Sequence, residues 1–156
     1  MTRMPQSAIS TTKSEPSTLV TFASLRLSGD RLKPNRITTV LNIAPTVAYR
    51  KGEIYKRSRG HEVRGRTGLW LLSSEGRTCS SDLNEHIEYL LNTIFPDGAD
   101  AKLEALREVM REDGLEVDIG CFWHGEHGAR PPVIRDDIRA RLARIPAEIE
   151  SDFDTD

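Results

Sequence analysis

The stretch CFWHGEHGARPP, Cys121–Pro132, gathers the side chains best suited to chemistry in this chain. Cys121, His124, Glu126 and His127 all carry atoms that ligate zinc, and the two histidines stand three residues apart on either side of Gly125. A zinc centre needs three or four such atoms converging at about 2.0–2.3 Å from the metal. Strand parity works against that set. LEVDIGCFW, Leu115–Trp123, alternates cleanly, placing Leu115, Val117, Ile119, Cys121 and Trp123 on one face and Glu116, Asp118, Gly120, Phe122 and His124 on the other. Cys121 and His124 then point to opposite sides unless the strand bulges. His124 and His127 are left as the candidate metal ligands, two where a site needs at least three. Joined by an acidic residue from elsewhere in the fold, they would make a metal-dependent enzyme. Without a metal, the stretch is the end of a core strand, a glycine-rich turn with exposed histidines and a Pro-Pro exit. Cys121 is then a small core residue.

The second concentration of chemistry is the segment YRKGEIYKRSRGHEVRGR. Arg50, Lys51, Lys56, Arg57, Arg59, Arg64 and Arg66 face only Glu53 and Glu62 in sequence, with Tyr49, Tyr55 and His61 interleaved. Clustered cations with aromatic rings suit nucleic-acid phosphates and bases, or an acidic protein partner. They also suit a solvated hairpin or loop neutralised by the acidic run Glu148–Asp156 of the same chain. Candidate binding residues are Arg50, Lys51, Tyr55, Lys56, Arg57, Arg59, Arg64 and Arg66.

Little else points to catalysis. Gly60, Gly65 and Gly68 form neither a dinucleotide fingerprint nor a phosphate loop, and no GxSxG or HExxH pattern is present. No cofactor is expected. His86, inside a helical pattern, reads as a half-exposed surface residue. The two cysteines, Cys79 and Cys121, make no CxxC pair and no disulfide framework, as expected of a reduced, cytoplasmic protein. The N-terminus holds no apolar run of signal-peptide type, and no segment is long enough to cross a membrane. With 156 residues, 37% hydrophobic and 29% charged, and a net charge of -2, one domain with its own core is expected. That near-neutral balance argues against dedicated nucleic-acid binding.

The elements that would position these groups follow from periodicity. Residues 1–17, rich in Ser, Thr and Pro, are expected to form a flexible tail before a domain over 18–156. LVTFASLRLSGD predicts a central strand and GLWLLSS another. Pro34 followed by Ile37, Val40 and Leu41 predicts a short helix. Asp82 and Glu85 have capping-box spacing before the stripe Leu83, Ile87, Leu90, Leu91 and Ile94. A second helix follows from Asp100, stopped by Asp113-Gly114. Val133-Ile134 reads as a short strand and Asp136–Arg144 as a helix. AEIESDF reads as an edge strand, its charges discouraging edge-to-edge pairing. The order predicts an α+β fold: a single domain with a mainly antiparallel sheet and helices packed on one face.

Five pieces in this order, LRLSGDRLKPNRITTVLNIAPT, GLWLLSS, DLNEHIEYLLNTI, VDIGCFWHG and PPVIRDDIRARLARIPAEIESDF, resemble the bacterial domain-of-unknown-function family DUF4279 over roughly residues 19–153. The resemblance implies one α+β domain. That family is uncharacterised, so it implies no reaction and no catalytic residues. The leading functional expectation is a non-catalytic protein-binding module, immunity-protein-like or inhibitor-like, docking through the basic loop or a sheet edge. The alternatives are the metal-dependent enzyme at His124 and His127 and nucleic-acid binding through residues 50–66. No membrane partner is expected.

Overall fold

Alternation in TLVTFASLRLSG produces β1, Thr18–Gly29, with Ala23, Leu25 and Leu27 buried on one side and Phe22, Arg26 and Ser28 on the other, partly exposed side. The structure is a computed structural model that describes residues 18–56, 60–96, 99–145 and 147–155. The expected tail, residues 1–17, lies outside the described residues, as do Arg57 and Arg59 of the basic segment.

After β1 come α1 (Pro34–Leu41), β2 (Val47–Tyr49), β3 (Ile54–Lys56), β4 (Glu62–Arg64), β5 (Gly68–Ser73), α2 (Leu83–Ile94), α3 (Asp100–Asp113), β6 (Glu116–Gly125), α4 (Asp136–Leu142) and β7 (Glu148–Thr155). Five strands form one sheet in the order β2-β5-β1-β6-β7, and β3 pairs with β4 in a separate hairpin. β1 is therefore the middle strand, antiparallel to both β5 and β6. Only β7 runs parallel to its neighbour, with Asp118 opposite Glu148 and His124 opposite Asp154. The fold is α+β with a mostly antiparallel sheet, as periodicity predicts.

Residues directly opposite across a ladder share a face. Leu27 lies opposite Trp70 and Val117, and Ala23 opposite Cys121; all are buried. The four helices among the described residues add Ile37, Leu41, Leu83, Ile87, Leu90, Leu106, Ile138 and Leu142 to the same hydrophobic cluster. α2 lies on β1 and β6, α1 on β5 and α3, and α4 against α2. One side of the sheet thus carries the described helices, and each fully buried Leu or Ile on it contributes about 1.5–3 kcal/mol.

Local chemistry fixes the ends. Asp82 accepts a hydrogen bond from the Asn84 amide at 2.9 Å, capping α2. Gly114 ends α3 in the left-handed region at φ 67°, where a Cβ would be strained. Trp70 is fully buried, and its indole N–H donates to Thr38 Oγ1 at 3.1 Å, tying β5 to α1.

Two local expectations are corrected. Val133-Ile134 forms no strand; Ile134 is buried, Val133 is 78% exposed, and the segment is held by a side chain. Asn84 donates to the Val133 carbonyl and accepts from the Arg135 amide, replacing a ladder with two point attachments. His86 is not a half-exposed surface residue but 2% exposed. Its Nε2 lies 2.7 Å from the Ser80 carbonyl, which can only accept, so Nε2 donates and Nδ1 faces the Ser74 hydroxyl at 2.6 Å. The Ser74 oxygen in turn accepts from the Ala23 amide of β1 at 2.9 Å. This buried chain fastens the middle strand to α2 and to the loop before it.

Replacing His86 with Leu strands the Ser74 hydroxyl and the Ser80 carbonyl in the interior. Urea unfolding is expected to show a loss of about 1–3 kcal/mol, with the midpoint lowered and the slope unchanged. An unaltered midpoint would mean that this chain of hydrogen bonds contributes nothing net.

Candidate functional site

The Cys121–Pro132 stretch divides as parity requires. Cys121 is fully buried on the helix-covered side, whereas His124 sits on the opposite side and His127 lies exposed in the turn after β6. Among the described residues, no three His, Cys, Asp or Glu side chains come together as metal ligands. The chemistry of the molecule lies instead at the uncovered face of the sheet and at its two edges.

The uncovered face is built by the alternate positions of all five strands. From the β2 edge inward it carries Val47 and Tyr49, then Leu69 and Leu71, then Val20, Phe22 and Arg26. β6 contributes Asp118, Phe122 and His124, and β7 contributes Glu148, Glu150, Asp152 and Asp154. Phe22 and Phe122 are direct cross-strand partners and stack with centroids 4.6 Å apart. Gly120 makes room for them, since a Cβ there would meet the Phe122 ring at 2.9 Å and Ser24 Oγ at 3.1 Å. Arg26 reaches across the ladder to Asp118 Oδ2 at 3.0 Å and Glu150 at 3.3 Å. The other Asp118 oxygen is buried with no hydrogen-bond partner among the described residues. Asp118 lines an acidic cleft of about 260 Å³ with Glu116, Glu148 and Glu150, to which Met110, Leu115 and Val117 add apolar wall.

β7 closes this side. Its residues are exposed throughout except Phe153, which packs edge-on to Trp123 with centroids 6.2 Å apart. Among the described residues no strand pairs with its outer edge. The outward-pointing half of the backbone donors and acceptors of this eight-residue strand is therefore presented there, beside four carboxylates on one face.

The basic segment occupies the other end of the sheet. β3 and β4 pair from Ile54↔Arg64 to Lys56↔Glu62, forming a hairpin. Tyr55 stacks on Tyr49 of β2, centroids 4.2 Å apart and planes 3° from parallel. Each ring thus covers one face of the other, which removes one stacking surface a nucleic-acid base would use. Arg64 donates to the Gly52 carbonyl at 2.6 Å, and Lys51 pairs with Asp30 at 3.1 Å. Intrachain neutralisation by the acidic C-terminal strand does not occur among the described residues: β2 and β7 are the two opposite edges of one sheet.

Arg50 and Lys51 meet two cations absent from the sequence-based candidates. With Arg31 and Lys33 of the β1–α1 turn, they line an open cleft of about 520 Å³, beside Asp30, Glu112 and Asp113. Nothing in the sequence singles out Arg31 and Lys33, because they lie some twenty positions upstream, in the turn that ends a strand. The carboxylates there are engaged. Asp30 takes hydrogen bonds from Thr67 and Lys51, which hold its carboxyl below the ordinary range. Arg36 pairs with both Glu112 and Asp113.

One further pair has the composition of a nucleophile and its base: Ser74 and His86, at hydrogen-bond distance. Both are sealed in the interior and line none of the clefts described, so the geometry is that of a structural bridge.

The molecule is a one-sided α+β sheet domain with an uncovered face and oppositely charged edges. The chain belongs to the family described as Domain of unknown function (DUF4279), whose model matches residues 18–156, in agreement with the resemblance read from the sequence. No curated protein and no solved structure matches it. No helix among the described residues is long and apolar enough to cross a membrane.

The two cysteines provide a test of this geometry. Cys79 is exposed and Cys121 buried, and burial pushes the Cys121 thiol up to about 11, with Arg139 pulling weakly the other way. A thiol reagent is expected to modify Cys79 in the native protein and Cys121 only after unfolding. Because the folded-state value of Cys121 is raised, its contribution to stability is complete below pH 9.0 and is lost as pH rises towards about 11. Cys121→Ala is therefore expected to flatten the decline of stability over that window. Equal native labelling of both thiols would contradict the assignment of Cys121 to the covered face.

Proposed function

We propose that this domain is a protein-binding module that holds a basic, extended segment of a partner along β7 and the adjoining uncovered face of the sheet. The observation that carries the reading is β7 itself: a strand of eight residues at the sheet edge, unpaired on its outer side among the described residues, with Glu148, Glu150, Asp152 and Asp154 in one row.

The physics favours a basic strand over other occupants. An edge ladder binds an extended chain through main-chain hydrogen bonds, and side-chain pockets beside it supply selectivity. A second copy of β7 would set carboxylate against carboxylate, which is how edge strands resist self-pairing. Lysine and arginine side chains reverse the sign of that term. The acidic cleft at Asp118 offers an ammonium group three further carboxylates and apolar lining for its stem. The Phe22–Phe122 stack and the exposed Val20 supply apolar contact on the same face. An immunity-protein-like or inhibitor-like role fits this mode of docking, with the partner's basic segment as the thing masked.

The test uses synthetic peptides in which lysine alternates with valine or threonine, and matched glutamate peptides. Calorimetry is expected to show binding of the lysine peptide, weakening as salt is raised because exposed charges are screened. The combined variant E148Q/D152N/D154N is expected to weaken binding by about three-fold to a hundred-fold, at roughly 0.2–1 kcal/mol for each exposed charge contact. Arg50→Gln with Lys51→Gln is expected to leave it unchanged. Binding of the glutamate peptide instead, abolished by the Arg50 and Lys51 changes, would move the docking surface to the basic edge and overturn the proposal. Absence of binding by either peptide would overturn it as well.

A further inference from the structure

We propose that the cleft between the β1–α1 turn, the β2–β3 turn and the end of α3 binds a doubly charged oxyanion, the phosphate monoester group of a small ligand, through Lys33, Arg50 and Lys51. The site is separate from β7 and does not depend on the reading of that strand.

The argument is one of unspent charge. Arg31, Lys33, Arg50 and Lys51 line the cleft, and Arg36 joins from behind through its pairs with Glu112 and Asp113. These five cations stand against four carboxylates, Asp30, Glu112, Asp113 and Glu53, the last accepting from the Arg50 amide, leaving one positive charge over. The surplus has a location. Arg36 accounts for Glu112 and Asp113, and the Arg31 guanidinium donates to the Glu112 and Asp113 carbonyls at 3.1 and 3.3 Å, closing the end of α3. Asp30 is divided between Lys51 and the Thr67 hydroxyl. Lys33 and the Arg50 guanidinium remain as the cations to which no carboxylate in the cleft is committed.

Those two groups come from different turns and line the same open space, which separates a built cleft from a solvated run of charge. Lysine offers a point charge and arginine a planar fork matched to phosphate oxygens. Lys51 keeps a second role, since its ammonium has three donors and Asp30 uses one. The volume, about 520 Å³, lies within the range of small-ligand clefts. All four lining cations are exposed, so replacing them does not disturb the core.

The full chain is titrated with inorganic phosphate, against chloride at matched ionic strength, while backbone amide signals are followed by NMR. Saturable shifts confined to Asp30–Lys33 and Arg50–Glu53 are expected, with chloride producing none that saturate. The double variant K33Q/R50Q is expected to weaken phosphate binding about ten-fold or more, since each charge-assisted hydrogen bond contributes about 1.5–3 kcal/mol. K56Q/R66Q, which removes equal charge from the hairpin side and leaves the cleft whole, is expected to bind as the parent does. The proposal is overturned if phosphate gives only the unsaturable drift seen with chloride, or if K56Q/R66Q weakens binding as much as K33Q/R50Q.

Discussion

The middle strand of the sheet has a covered side and an uncovered side, and every other feature depends on that difference. β1 is paired with β6 along its length and with β5 over Ser24–Gly29, which fixes its position. Its side chains alternate between Ala23, Leu25 and Leu27, which are in the core, and Phe22, Arg26 and Ser28, which are not. A slip of one residue in either ladder would exchange these sets, placing Arg26 under the helices. The apolar penalty of that exchange sets the register of β5 and β6, and through β6 that of β7. The Ala23–Ser74–His86–Ser80 hydrogen bonds then lock the same strand to α2.

The placement of charge follows from the strand order. β2 and the basic hairpin finish one edge, and acidic β7 finishes the other. Four strand spacings separate them, roughly 19 Å, so the two runs act outward rather than on each other. Arg26, at the centre of the uncovered face, is the cation that joins β1 to the acidic side through Asp118 and Glu150. At the basic end, Lys51–Asp30 and the Arg31 contacts with α3 bring the β2–β3 turn and the β1–α1 turn to the same cleft. The two proposed sites are thus consequences of one topology, and each uses charge that the fold leaves uncompensated.

Much of this is legible in the chain because it depends on local periodicity. The central place of β1, the alternation of β6, the stripe of α2, the edge character of Glu148–Phe153 and the parity that separates Cys121 from His124 all emerge in the structure as the sequence predicts; burial of both faces at the start of β1, which its apolar residues of both parities suggest, does not, since Val20 is 46% exposed. What the sequence hides depends on groups brought together by the fold. His86 looks like a surface residue because it is a polar side chain beside, and not within, the apolar stripe of α2; its partners, Ser74 and Ser80, come from the loop before α2 and meet both ring nitrogens. Val133-Ile134 has strand composition, yet Asn84, some fifty positions earlier, supplies its attachments in place of a ladder. Mutual neutralisation of the basic and acidic runs follows from sign alone, and strand order separates them. Arg31 and Lys33 gain significance only when the β2–β3 turn lies beside them.

The central claim is that β7 and its adjoining face receive a basic extended segment, and amide hydrogen exchange tests it most directly. In the free protein the amides of β7 are expected to exchange faster than those of β1 and β6, because an exposed edge strand opens at lower free-energy cost than the paired centre of the sheet. Addition of a lysine-alternating peptide is expected to slow exchange along Glu148–Thr155, with little change at Arg50–Arg66. Slowed exchange at Arg50–Arg66 with β7 unaffected, or no change anywhere at saturating peptide, would contradict the account.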